Sequence, residues 1–124
     1  MSEKQLILIA DDEEDTREIL ELILKEAGYE TITSFDGLDT MDKINAHHPR
    51  LVLLDIMMPL VDGLEVCRRI KGDQSTRDIK VAMLSASDES ESVQSARQSG
   101  SDAYITKPFD AEDLLKRIKE LLSH

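Results

Sequence analysis

The chain has 124 residues, 40% of them apolar and only 3% aromatic, so one domain with an aliphatic core is expected, burying roughly two thirds of the unfolded chain's surface. A single cysteine, Cys67, excludes an intrachain disulfide and fits a reducing compartment, while a net charge of −11 excludes the domain alone as a binder of duplex phosphate. The N-terminus carries no signal-peptide pattern and no apolar run approaches the ~18 residues of a membrane span, so a cytoplasmic soluble protein is expected.

Short apolar runs alternate with helical stripes along the chain. QLILIA (5–10) is long enough for a strand and too short for a helix. EDTREILELILKEAG follows, with Leu20, Ile23, Leu24 and Ala27 on one stripe and Gly28 as its stop. YETITS (29–34) is rich in β-branched residues, and Leu38, Met41 and Ile44 then recur at helical spacing up to Pro49. RLVLLD (50–55) is a continuous apolar run, the mark of a strand buried on both faces. Leu64, Cys67 and Ile70 mark a third helix, and IKVAMLSA (79–86) is another buried strand. Residues 88–99 are read as a candidate helix, with only Val93 and Ala96 as apolar support. AYIT (103–106) is a last short strand, and Leu114, Leu115, Ile118, Leu121 and Leu122 make the cleanest stripe in the chain.

Five strand–helix units with short connections argue an α/β fold, a doubly wound (βα)5 parallel sheet covered on both faces, as a single domain over residues 1–124. Right-handed crossovers leave few topologies. The order 2-1-3-4-5 is adopted as the flavodoxin-like arrangement rather than derived.

In such sheets ligands bind beyond the carboxyl ends of the strands, near the switch point. Asp11 and Asp12 follow the first strand, Asp55 ends the third, Ser85 ends the fourth and Lys107 follows the fifth. In the adopted order these four strands are neighbours and the side chains converge. Taken singly, each has a plainer role. The acidic run Asp11 to Asp15 suits a helix N-terminus through the dipole, Ser85 suits a turn, and Lys107 a solvated surface. Taken together, three converging carboxylates repel one another and must take up protons or a cation. Hard oxygen ligands of this kind suit Mg2+, with waters and substrate phosphate completing its shell. A metal, a lysine and a hydroxyl aimed at one carboxylate make a phosphoryl-transfer site, with Asp55 as nucleophile.

The acidic pair Asp11-Asp12, the stretch DIMMPLVDG from Asp55, Ser85 and the run ITKPF with Lys107 resemble, across essentially the whole chain, the receiver domain of response regulators, the CheY-like superfamily of two-component systems. The resemblance implies that Asp55 is the phosphoacceptor, charged by a histidine kinase or phosphotransfer protein. It implies Mg2+ held by Asp12, Asp55 and the main-chain carbonyl of Met57, with Asp11 orienting a metal-bound water. Lys107 would pair with a phosphoryl oxygen. Ser85 would be the switch hydroxyl, assisted by the N–H groups of Met57 and Ala86, and Tyr104 the switch aromatic. The Lys107–Pro108 peptide is expected to be cis. Serine at 85 replaces the commoner threonine, keeping the hydroxyl but losing the methyl that restricts its rotamer.

Two other classes compete. A haloacid-dehalogenase-like phosphatase also uses a strand-end Asp and Mg2+, but it usually carries a second acid where this chain has Met57. A flavodoxin-like flavin carrier would want a phosphate loop after the first strand and aromatics to sandwich the ring. For the receiver reading, Thr16, Ile19, Pro108 and Phe109 are expected to form a kinase-docking patch. Met57 and Ser87, two positions beyond Asp55 and Ser85, cannot orient a hydrolytic water well, so slow dephosphorylation is expected. The face made by the fourth helix, fifth strand and fifth helix is expected to be the output surface, binding a target protein or a second copy. Arg97, Asp102, Glu112 and Arg117 supply its mixed charge. A stand-alone regulator and a receiver excised from a longer protein with an output domain are both compatible with the chain.

Overall fold

The structure, a computed structural model, describes residues 4–86 and 90–123. Ser87 and the first two residues of the predicted fourth helix lie outside the described residues.

Five strands, β1 (Leu6–Ala10), β2 (Glu30–Ser34), β3 (Leu51–Asp55), β4 (Lys80–Ser85) and β5 (Ala103–Thr106), alternate with five helices. These are α1 (Glu14–Glu26), α2 (Gly37–His47), α3 (Gly63–Gly72), α4 (Ser90–Gln98) and α5 (Ala111–Leu122). The sheet order is β2-β1-β3-β4-β5, with every pairing parallel. The adopted topology is therefore the observed one. Predicted strand limits shift by a residue: Ala86, placed in the fourth strand by its apolar run, lies just past Ser85 and is exposed.

Alternation along the strands divides the core into two layers. Leu8, Val52, Leu54, Val81 and Met83 face one side, where Ile44 of α2, Val66, Cys67 and Ile70 of α3 and Ala96 of α4 cover them. Ile7, Ile9, Leu51, Leu53 and Leu84 face the other, under Leu20 and Leu24 of α1 and Leu114 and Ile118 of α5. Because both faces are covered, the central strands need apolar residues at every position, which is why RLVLLD shows no alternation. Each such aliphatic side chain stabilises the fold by about 1.5–3 kcal/mol relative to an exposed one. Cys67 is one of these core residues, and burial pushes its thiol pKa up.

Helices α2, α3 and α5 begin where acidic side chains accept orphan backbone N–H groups. Asp36 accepts from Asp39 N at 2.7 Å, Asp62 from Glu65 N at 2.9 Å and Asp110 from Asp113 N at 3.2 Å. Helix α1 ends at Ala27, and Gly28 follows with φ +96, a conformation glycine adopts without steric cost. Parallel pairing places the carboxyl ends of β1, β3, β4 and β5 on one edge.

Candidate functional site

Asp55 is the last residue of β3 and is only 6% exposed. Its backbone is wedged against the start of α3. A Cβ on Gly63 would lie 2.2 Å from the Asp55 carbonyl oxygen, and Gly63 N donates to Ile56 O at 2.9 Å. Only glycine allows that approach, so the Asp-Gly pair at 62–63 both starts α3 and fixes the strand end. The Asp55 side chain is held as well, its Oδ1 accepting from Met57 N at 3.1 Å. The turn after Asp55 thus aims a backbone donor at its carboxylate.

Asp11, fully buried just past β1, accepts from Glu13 N at 2.9 Å through Oδ1, while Arg17 Nη1 donates to its main-chain carbonyl at 2.7 Å. Asp12 beside it is exposed. One ligand oxygen from each of Asp11, Asp12 and Asp55 can be chosen so that all lie within 4.8 Å of one another. Lys107, just beyond β5, reaches into the same space. Its Nζ is 2.7 Å from Asp11 Oδ2, 3.5 Å from Asp55 Oδ2 and 3.6 Å from Glu13 Oε1.

Electrostatics follow from this crowding. Burial, and then the Asp11 charge, push the Asp55 carboxyl up to about 6, against the opposing pull of Lys107 and the Met57 N–H. Burial would lower the Lys107 pKa, but the Asp11 hydrogen bond and the charges of Asp55, Asp11 and Glu13 outweigh it and hold the ammonium above its ordinary value. One lysine does not neutralise three carboxylates. The cluster is a hard, all-oxygen donor set with excess negative charge, and it can coordinate a divalent cation.

Ser85 ends β4, nearly buried, and its carbonyl accepts from Lys107 N at 2.7 Å, tying the lysine loop to that strand end. Tyr104 of β5 is half-buried against the α2–α3–α4 layer. Met57 is 75% exposed at the mouth of the site. The Lys107–Pro108 peptide is cis. Thr16, Ile19, Pro108 and Phe109 line one apolar groove with Ala86 and Lys107, next to the carboxylates. Of the residues expected to give the α4–β5–α5 face its charge, Arg97, Asp102 and Arg117 line a groove there with Tyr104. Asp102 is already engaged: its Oδ2 is 2.8 Å from Lys71 Nζ and accepts from Val81 N at 2.8 Å.

Three features escaped the sequence reading. Glu13 stands at the N-cap of α1 but makes no side-chain cap, and turns to Lys107 instead. The acidic run that suggested a cap hid it. Gly63 was legible as a turn residue but not as the contact behind Asp55. Leu60 adopts φ +72 and is 73% exposed, in a tight turn closed by Val61 N to Pro59 O at 2.9 Å. No signal in leucine announces that conformation.

Comparison with known proteins gives a consistent result. The family described as "Response regulator receiver domain" matches residues 7–119. Response regulator ArlR of Staphylococcus aureus is 40% identical over 116 residues, covering 94% of this chain and 52% of that protein. The chain spans about half the length of the curated relatives it matches. Among solved structures, a Chloroflexus aurantiacus J-10-fl protein superimposes with a TM-score of 0.95 at 29% identity, covering 98% of this chain and 100% of the other. The signal receiver domain of a signal transduction histidine kinase from Syntrophus aciditrophicus does so with a TM-score of 0.90 at 34% identity, covering 96% and 90%.

Proposed function

The chain belongs to the response regulator receiver family, and from that premise we propose that Asp55 accepts a phosphoryl group from a histidine kinase or phosphotransfer protein. Membership removes the phosphatase and flavin-carrier alternatives, because receiver domains catalyse only their own phosphorylation and dephosphorylation. The observation that carries the proposal is the convergence of Asp55 with Asp11, Asp12 and Lys107 at the carboxyl edge of the sheet.

Asp55 is held by β3 behind and the Met57 N–H in front, so its carboxylate meets phosphorus without reorganising. Asp12 and Asp55, with the Met57 carbonyl, would hold Mg2+ and Asp11 would orient a metal-bound water; bound there, the ion would offset carboxylate charge and the charge on the phosphoryl oxygens. Lys107 offers an ammonium already within 3.5 Å of the acceptor carboxylate, placed to pair with a phosphoryl oxygen. Ser85 and the N–H groups of Met57 and Ala86 would bind the remaining oxygens, and Tyr104 would follow Ser85 inward. The apolar groove along Thr16, Ile19, Pro108 and Phe109 supports kinase docking beside the site. Ile19 is 52% exposed, which favours a docking role over a purely internal one. Met57 offers no group to orient water, which supports a long-lived acyl phosphate.

The whole of residues 1–124 is read as one receiver unit. Its output, a target protein or an attached domain, is assigned to the α4–β5–α5 face, where a second copy can also pair. Among the described residues no helix is long and apolar enough to cross a membrane, and a cytoplasmic location is part of the proposal. Intact-mass measurement after incubation with acetyl phosphate tests the central claim. Wild type gains one phosphoryl group only with a divalent cation, and Asp55→Asn gains none; undiminished labelling of that variant removes Asp55 from the role.

A further inference from the structure

We propose that Glu13 is a specificity-determining residue of this site, biasing it against small dianionic phosphoryl donors and toward donors that carry the group on nitrogen at lower charge. The inference rests on the reading of Asp55 as acceptor. Its basis is the position of the Glu13 carboxylate. Oε1 lies 3.6 Å from Lys107 Nζ, almost as near as Asp55 Oδ2 at 3.5 Å. Its side chain is 65% exposed, so it stands on the rim that an incoming donor crosses. Among the described residues it makes no side-chain cap, and its own N–H is satisfied by Asp11.

The charges make this position consequential. Asp11, Asp12 and Asp55 are balanced by Lys107 together with a divalent cation. Glu13 then leaves one negative charge uncompensated beside the reacting centre. Arg17 is the nearby cation of α1, but it is tied to the Asp11 carbonyl, and Glu14 and Asp15 in the first turn of α1 outnumber it. Glu13 also competes with the phosphoryl oxygens for the same ammonium. Both effects grow with the charge of the donor. Acetyl phosphate is a dianion near neutral pH. Phosphoramidate, a nitrogen-borne donor like phosphohistidine, is a net monoanion because its nitrogen carries an extra proton. In each transfer an Asp55 oxygen bonds phosphorus as the bond to the leaving group breaks. The electron pair leaves with acetate in one case and with neutral ammonia in the other.

Labelling rates with the two donors, at saturating Mg2+ and low salt, test the proposal on the whole chain. Glu13→Gln raises the acetyl phosphate rate relative to the phosphoramidate rate roughly threefold, as expected for one unit charge a few ångströms away in partly exposed surroundings. Glu13→Lys raises the ratio by about tenfold, and Glu13→Asp leaves it near wild type. The difference shrinks at about 0.5 M salt, where charges are screened. Thermal melts verify that each variant is folded. An unchanged ratio in Glu13→Gln and Glu13→Lys, or an equal change with both donors, overturns the proposal. Failure of wild type to label with either donor overturns the acceptor reading instead.

Discussion

Helices α4 and α5 sit on opposite faces of the sheet next to the same strand, β5, yet they are held in different ways. Helix α5 buries Leu114 and Ile118 completely and half-buries Leu115, Leu121 and Leu122. Helix α4 buries Ala96 alone among its apolar side chains, with Val93 half-covered. What α4 lacks in apolar contact it partly recovers in polar contact at its C-terminal end. Ser99 Oγ and Ser101 Oγ both donate to Ala96 O, at 2.5 and 2.8 Å. Asp102, which follows, is clamped between Lys71 and the Val81 N–H. A helix seated by aliphatic area resists displacement along its whole length. A helix tied by directional bonds at one end is free to tilt about that end. Under the proposed reading, α5 would be the fixed wall and α4 the part that answers changes at Ser85 and Tyr104.

The largest effect expected is on the wall. Ile118→Ala destabilises by about 2–5 kcal/mol in urea unfolding, whereas Val93→Ala on α4 costs about 1 kcal/mol or less. Equal losses would break the contrast. Next comes the clamp. Asp102→Ala leaves the Val81 N–H without its acceptor and the Lys71 ammonium with only the Arg77 and Ile79 carbonyls, and costs about 1–3 kcal/mol. Amide exchange in that variant quickens across residues 95–101 and not across 111–122.

Burial stabilises α5 but works against Asp55, and the pH dependence separates the two cases. Because the Asp55 carboxyl is raised to about 6, the folded state holds a proton that the unfolded chain has released. Stability from this group is full below about pH 4 and is lost as pH rises through about 6. Asp55→Asn therefore stabilises the metal-free protein by about 1–3 kcal/mol at pH 7 and changes little at pH 4. Denaturation curves at the two pH values, with chelator present, check it; a variant less stable at pH 7 contradicts the assignment. A smaller effect belongs to Leu60. Leu60→Gly relieves the φ +72 conformation and stabilises by about 1 kcal/mol, less glycine's added unfolded-state entropy. The smallest is the response to activation itself. Beryllofluoride with Mg2+ changes amide protection most across residues 90–105 and least across 110–122. A change confined to 55–62 would leave α4 with no part in the output.

The five-unit alternation, the burial of β3 and β4 on both faces, and the stripe of α5 were all written in the sequence. They depend on side-chain periodicity, which each segment carries by itself. The ordered set of Asp11, Asp12, Asp55, Ser85 and Lys107 was legible too, because strands of a parallel sheet deliver their carboxyl ends to one edge whatever the details of packing. The tertiary structure alone decided the rest. Glu13 turns to Lys107 rather than capping α1 because two residues nearly 100 positions apart meet across the edge. Asp102, at the surface, becomes a clamp rather than a free charge because α3 brings Lys71 to it. Gly63 is fixed by a backbone approach to Asp55, and Leu60 takes a left-handed conformation because its turn must close. Each of these is a contact between segments or a constraint imposed by one, and residue type along a single segment carries no record of what will be packed against it.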